Sequence, residues 1–554
     1  MGIVVLSRIP YLLVYWPGIV AADTFRSLTY VRGMRQWQSY EPVGESLFIG
    51  VIQWLGTSLG WGDLGVVAMG SIILIVASSA AVTFMLVRMA VWGVPRTVWV
   101  ATLAWMLLLP IFGYYSLDLV KDVPFSIAML VFLVCIGEIS FGRADTVRKL
   151  WPWITMTLAG VAVIGTRNNG IHVIALSVPL LIILLRSLWK RIVIVFAVLL
   201  LAYGVYVGPV YGVLDVQPGP AEESYSVPLQ QLGRIAKYRA TSLSATDRSY
   251  FARIFAGMPP EELAKHYVPG LADPMKLQAR KAWSEHSTIE FIGGWLRVAA
   301  KYPVTAMEAT LANTVGYWDP EAPSYDGVVR WSVNDWRGIH LDIPSGRPTT
   351  GIAGKIEASG IMPTQSYIVG THDDGYRAIP IVGLAMSPGS VCCLWFVGCL
   401  LVARRRIPSA MAVFVPAAVL LLTFLAGPIS GGQRYSLTLF MALPLAVAAV
   451  VLAARGNTPV TGSADTTTDV SPRRQAHGQD LTLSESVPSP GGTPGQPNAD
   501  LISAGTRATG EMNSQSVVEH RFGEPPKSPD AVLDSGVPYV PNAESEAVAK
   551  ASAG

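Results

Sequence analysis

Four short stretches of this 554-residue chain place charged side chains at the borders of apolar runs. Asp23 follows Tyr15-Trp16-Pro17-Gly18 at the end of the first run. Lys121 and Asp122 close the stretch that begins Tyr114-Tyr115-Ser116 and precede Val123-Pro124-Phe125. Arg167 opens Arg167-Asn168-Asn169-Gly170, and Arg434 stands in Gln433-Arg434-Tyr435. A charge beside hydrocarbon is costly and finds a partner or a water-filled cavity, so each is a candidate for function. The chemistry these types can perform together is transfer from a lipid-linked sugar phosphate. A carboxylate orients and deprotonates an acceptor hydroxyl while cations neutralise the charge that builds on the departing phosphate. Arginine offers a planar fork to phosphate oxygens and lysine a point charge. In this scheme Asp23 is the base, Asp122 a further candidate catalytic carboxylate, Lys121, Arg167 and Arg434 bind the donor phosphate, and Asn169 and Tyr435 serve the acceptor or an auxiliary role. The alternative is that the same residues are interfacial anchors joined in salt bridges.

The elements that must position these groups are membrane helices. Apolar residues make up 51% of the chain and charged residues 14%, with a mean hydropathy of +0.42, which excludes an ordinary soluble domain. Runs of about 17 to 25 residues recur, each long enough to cross a hydrocarbon core of roughly 30 Å. They predict an all-α polytopic protein with about ten spans, near 3–20, 64–88, 97–114, 124–141, 151–166, 170–186, 192–211, 377–402, 409–427 and 436–454. The loops carrying Arg88 and Arg96, then Arg143, Arg148 and Lys149, then Arg186, Lys190 and Arg191, then Arg404 to Arg406 alternate onto one side, which predicts a cytoplasmic face. Residues 46–60 are apolar but short and predict a juxtamembrane or re-entrant helix. On this topology all four charged stretches face outward, at the cell membrane's extracytoplasmic side. The first run lacks a small-residue cleavage site and is expected to anchor.

The domain plan that follows has an N-terminal membrane part (1–211) with a first outer loop at 21–62, a large helical outer region (212–376), C-terminal membrane helices (377–455) and a tail (456–554). The tail is rich in Pro, Gly, Ser, Thr and Asp, and is expected to be disordered and cytoplasmic. Cys135, Cys392, Cys393 and Cys399 fall in apolar runs and suggest packing. No basic cluster with interleaved aromatics points to nucleic acid, and no glycine-rich phosphate loop points to a soluble nucleotide. His372-Asp373-Asp374 could hold a divalent cation but lacks further ligands at a recognisable spacing, so metal and cofactor are left unknown. His172 reads as a core histidine. Trp16, Trp37, Trp61, Trp92, Trp151 and Trp153 read as interfacial belt residues, and Asp319 as a turn residue before Pro320.

Pro17-Gly18-Ile19 with Asp23-Thr24, Lys121-Asp122-Val123-Pro124-Phe125, Arg167-Asn168-Asn169-Gly170, Gly316-Tyr317-Trp318-Asp319-Pro320 and Arg434-Tyr435 resemble uncharacterised bacterial membrane proteins, of actinobacterial type, related to GT-C glycosyltransferases. The resemblance covers about residues 8–455. It implies a polyprenyl-phosphate sugar donor, a cell-envelope acceptor, an inverting reaction, an active site on the outer face and an acidic residue in the first outer loop, matched here by Asp23. Such enzymes often carry paired acids there, whereas Asp23 stands alone, and Glu41 and Glu45 are the candidates for a second carboxylate. The competing readings are a transporter or lipid flippase, in which the charges would line a path, and a non-catalytic envelope-assembly protein. No internal repeat of the kind a transporter carries is visible.

Overall fold

Glycine and proline punctuate long apolar runs along the chain, and between them the backbone folds into helices that satisfy their own hydrogen bonds, as hydrocarbon demands. The structure, a computed structural model, describes residues 1–285, 287–322 and 380–456. His372-Asp373-Asp374 and the tail expected to be disordered therefore lie outside the described residues.

Secondary structure among the described residues is helical, joined by a few isolated β-bridges. Among the described residues six helical stretches are long and apolar enough to cross a membrane: Asp63–Val91, Asp122–Phe141, Arg186–Val213, Pro388–Arg405, Pro408–Leu425 and Gln433–Ala454. The other four expected spans form shorter apolar helices, Gly2–Val14, Arg96–Leu108, Trp151–Thr166 and Gly170–Leu184. At about 1.5 Å per residue a 13-residue helix is roughly 20 Å long, short of a full hydrocarbon core. Labelled in chain order, the N-terminal helices are α1 (Gly2–Val14), α2 (Ala22–Val31), α3 (Val43–Ser58), α4 (Asp63–Val91), α5 (Arg96–Leu108), α6 (Pro110–Tyr115), α7 (Asp122–Phe141), α8 (Ala144–Arg148), α9 (Trp151–Thr166), α10 (Gly170–Leu184) and α11 (Trp189–Val205).

Several boundaries depart from expectation for local reasons. The first helix stops at Val14 instead of near residue 20, because Pro17 cannot donate to a continuing helix. The expected span at 377–402 divides into Pro380–Ala385 and Pro388–Arg405, with Pro388 in the first turn of the second. Arg434 lies inside the first turn of the last helix and not before it. The short apolar segment at 46–60 forms α3, with Trp54 and Leu59 exposed. His172 is exposed on α10 and is not a core residue. Trp92 and Trp153 are buried, and their indoles donate to the Glu138 carboxylate and the Val147 carbonyl, so these two are packing residues and not belt residues.

Successive apolar helices run in alternating directions. Asp23, Lys121, Arg167 and Arg434 consequently meet at one end of the bundle through ion pairs, while Arg88 near the end of α4 pairs with Glu138 near the end of α7 at 2.6 Å. The bundle core includes Tyr15, Phe25, Met85, Phe125, Leu133 and Phe440. Between the two groups of membrane helices, Leu229, Leu232, Phe251, Phe255 and Phe291 form a second core. There the chain forms two helices, Thr288–Lys301 and Pro303–Thr314, broken at Tyr302-Pro303, the first capped at its start by the Ser287 hydroxyl.

Candidate active site

The Trp-Pro-Gly turn turns the chain back across the loop that precedes α7. Ile19 and Asp118 form a parallel bridge, in which the Ile19 amide donates to the Leu117 carbonyl and the Leu119 amide to the Ile19 carbonyl, both at 3.1 Å. The Thr24 hydroxyl adds a bond to the Leu119 carbonyl at 2.6 Å. A Cβ on Gly18 would come within 2.0 Å of the Ser71 hydroxyl on α4, so the turn fits only with glycine there. This clasp sets Asp23, in the first turn of α2, beside Lys121: their charged atoms are 3.1 Å apart.

The first outer loop brings in the next carboxylate. Asn168 donates to the carbonyls of Ser39 and Tyr40, and Gly44 meets Gly165 so closely that a Cβ would approach its carbonyl oxygen to 2.5 Å. The loop is thereby held against the end of α9, and Glu41 reaches Arg26 at 2.8 Å and Lys121 at 2.6 Å. Arg26 also pairs with Asp23 from one helical turn away. From the last helix Arg434 reaches Asp23 at 3.2 Å and Asp122 at 3.9 Å, and Arg167 reaches Asp122 at 3.0 Å. The loop before Arg434 is itself held by the Gly316-Tyr317 stretch. Gly316 donates to the Ser430 hydroxyl, and the Tyr317 hydroxyl donates to the Ile429 carbonyl and accepts from the Gly432 amide.

These residues form one continuous ion network in which the two signs occupy different depths. The side chains of Glu41 and Asp122 are fully buried and that of Asp23 is 9% exposed, while those of Arg167, Lys121, Arg434 and Arg26 are 12 to 24% exposed. The accessible face is therefore cationic, with carboxylates behind it. Two tyrosine rings complete it: Tyr40 lies 4.6 Å from the Arg26 guanidinium, and Tyr435 lies 4.6 and 4.9 Å from those of Arg167 and Arg434. Burial alone would raise the Asp23 carboxyl, but Lys121, Arg434 and Arg26 together outweigh it and hold it well below the usual carboxylate range. Glu41 goes the other way: burial raises it despite Lys121, and the nearby charge of Asp23 adds to the rise. Burial and the Glu41 charge push Glu45, behind the network on α3, up to about 8, with its Oε2 accepting from the Ser27 hydroxyl.

The chain belongs to the DUF6020 family. The family is described as one of unknown function, and its model matches residues 39–464. Glu41, Lys121, Asp122, Arg167 and Arg434 fall inside that match, and Asp23 and Arg26 precede it. No curated protein and no solved structure matches the chain.

Of the sequence-predicted residues, the structure brings Asp23, Glu41, Lys121, Asp122, Arg167, Arg434 and Tyr435 together. Asn169 points elsewhere, donating to the Thr423 hydroxyl. Asp319 accepts from the Glu321 amide in its own turn. Sequence reasoning missed the parts played by Arg26, Tyr40 and Asn168. A recoverable signal existed for Arg26, which lies at i+3 from Asp23; the contacts of Tyr40 and Asn168 are tertiary. Among the described residues no group of three His, Cys, Asp or Glu side chains is placed to hold a metal ion.

Proposed function

We propose that this chain is a GT-C-like integral membrane glycosyltransferase that moves a sugar from a polyprenyl-phosphate donor to a cell-envelope acceptor on the extracytoplasmic face. The observation that carries this reading is the division of depth in the ion network, with four partly accessible cations in front of buried carboxylates. A lipid phosphate arriving at the end of the bundle meets guanidinium and ammonium groups already aimed outward, which favours phosphate capture over cation passage. The four shorter apolar helices alternate in direction with the six long ones and so support ten passes, the bilayer thinning locally around the short ones.

In this mechanism Asp23 accepts the proton of the acceptor hydroxyl as its oxygen bonds to the anomeric carbon. The bond from that carbon to the phosphate oxygen breaks, and its electron pair leaves on the polyprenyl phosphate. A single displacement of this kind inverts the anomeric centre. Asp23 is a weak base while three cations surround it, since basicity falls with pKa. Donor phosphate oxygens draw Lys121 and Arg434 toward themselves, and the Asp23 carboxylate gains basicity when the donor is in place. Glu41 and Asp122, sealed behind the cations, act as positioning residues: Glu41 holds Arg26 and Lys121, and Asp122 holds Arg167 and Arg434.

The test is to incubate the full chain in nanodiscs with a panel of polyprenyl-phosphate sugars and membrane extract as acceptor, following donor loss by mass spectrometry in wild type and Asp23→Asn. Donor consumption that depends on Asp23 is expected and names the sugar. Absence of consumption from every donor would remove the transferase reading in favour of a lipid transporter or an assembly protein.

A further inference from the structure

The second core, built around Leu229, Phe251 and Phe291, leaves apolar surface uncovered on one side. In the helix Thr288–Lys301, Phe291, Gly294 and Val298 face that core, while Ile289 and Leu296 are exposed on the other side. In the next helix, Pro303–Thr314, Ala306 and Ala309 are buried, and Val304, Met307 and Leu311 recur at i, i+3 and i+7 on the opposite side. These side chains and that of Trp318 are 49 to 85% exposed. The charged neighbours of this stripe are neutralised at its edges. Arg297 and Lys301 both turn to Asp247, at 3.4 and 2.7 Å, and Glu308 pairs with Arg234 at 3.0 Å. A region bathed in water seldom presents an apolar stripe of this length.

The stripe runs into a membrane span. The Asn313 side chain donates at 2.9 Å to the Gly427 carbonyl, just past the end of the span Pro408–Leu425. Gly389, in the first turn of the span Pro388–Arg405, packs so closely on Asp319 that a Cβ there would overlap the Asp319 carbonyl oxygen. Farther along the same span, the Cys393 Sγ donates to the Trp318 carbonyl at 3.7 Å. Counted from Pro388, that contact lies about 7 Å along the helix axis. The whole 18-residue helix is about 27 Å long, no more than a hydrocarbon core of roughly 30 Å, so Trp318 sits at membrane depth. Beyond Cys393, Phe396 and Leu400 continue its face at helical spacing and are exposed, as lipid-facing side chains are.

We infer that the helices Thr288–Lys301 and Pro303–Thr314 lie in the surface of the bilayer, with their apolar stripe sunk among the acyl chains of the leaflet on the side of the ion network. The occupant is lipid because the stripe is continuous with the lipid-facing side of a span, and because a basic flank beside an apolar stripe is how helices of the membrane interface are built. The inference needs the membrane helices and not the transfer chemistry. The bilayer thereby braces a region that also closes on the site, where the Gly219 amide donates to the Ser39 hydroxyl at 2.9 Å beside Tyr40.

The experiment uses the full chain in nanodiscs, with Cys135, Cys392, Cys393 and Cys399 replaced by alanine. Nitroxide labels are attached at Leu296→Cys, Met307→Cys and Leu311→Cys, and at Glu261→Cys as a control on the exposed side of the helix Pro260–Leu263. Power saturation then compares collisions with molecular oxygen, which concentrates among acyl chains, and with a water-soluble nickel chelate. Oxygen should dominate severalfold at the three stripe positions, and the chelate at residue 261. Dominance of the chelate along the stripe would overturn the inference. Protection from both reagents would also overturn it, by showing that protein and not lipid covers the stripe. Should the cysteine-free chain fail to fold, p-benzoylphenylalanine in place of Met307 in the otherwise native chain decides. Illumination should give phospholipid adducts by mass spectrometry, and photoproducts without lipid would refute the placement.

Discussion

Replacing Asp23 by asparagine should yield a protein that binds the donor more tightly and turns it over far more slowly. On the proposed mechanism Asp23 and an incoming phosphate compete for the same cations. With Lys121 at 3.1 Å and Arg434 at 3.2 Å from the carboxylate, a phosphate sharing either cation comes within about 6 Å of it. At an effective dielectric constant near 20, two unit charges at that separation repel by roughly 2.8 kcal/mol. Halving this for the solvent and salt that reach a partly exposed site leaves about 1.4 kcal/mol, or about tenfold in affinity. Loss of the base costs about 10²- to 10⁴-fold in kcat over the same substitution. Donor affinity is read by isothermal titration of nanodiscs with a short-chain polyprenyl-phosphate sugar, and turnover by mass spectrometry at saturating donor. An inactive variant with unchanged or weaker donor affinity would refute the competition, and with it the account of how Asp23 becomes basic.

Arg167→Gln removes a proposed phosphate contact while leaving Asp122 with Arg434, and donor affinity should fall about ten- to a hundredfold, at about 1.5–3 kcal/mol for a charged hydrogen bond; a normal dissociation constant would take Arg167 out of the donor site. Glu45 ionises near 8 in the folded chain and near its ordinary 4.5 when unfolded, so folding takes up a proton between those values and stability should decline as pH rises through that window. The slope is at most about 1.4 kcal/mol per pH unit, and Glu45→Gln should flatten the profile of thermal midpoint against pH, whereas parallel profiles would contradict the assignment. Glu138→Gln breaks the buried pair with Arg88 at the far end of the bundle and should cost about 3 kcal/mol of stability, visible as a lower thermal midpoint. Its donor affinity should stay at the wild-type value, because the proposed donor site is at the opposite end; a large change in affinity would count against that separation.

What could be read from the chain in advance follows from how local each signal is. Charges at the ends of apolar runs are marked by composition alone, and Asp23, Lys121, Asp122, Arg167 and Arg434 do meet. The run lengths also find the helices, but they overstate those interrupted by proline, as at Tyr15-Trp16-Pro17 and Ser387-Pro388. The ion-pair partners were not legible. Glu41 and Glu45 are four residues apart in similar surroundings, yet one turns into the network and the other lies behind it beside Ser27, a difference set by Asn168 and by the contact of Gly44 with Gly165. Asn169 shares its stretch of sequence with Arg167, but the start of α10 turns it toward Thr423.

The bridge between Ile19 and Asp118 has a mechanical consequence. Two backbone hydrogen bonds and the Thr24 hydroxyl make Asp23 and Lys121 parts of one stiff unit, which moves as a whole if it moves. Arg434 rides on the last helix and Arg167 on the junction of α9 and α10, neither joined to that unit by a backbone bridge. The last helix is fastened to α7 one turn deeper, where the Thr438 hydroxyl donates to that of Ser126 at 3.0 Å. Rearrangement of the ion pairs is therefore confined to the side chains of Arg434, Arg167 and Lys121, which can exchange partners over a scaffold that holds its place.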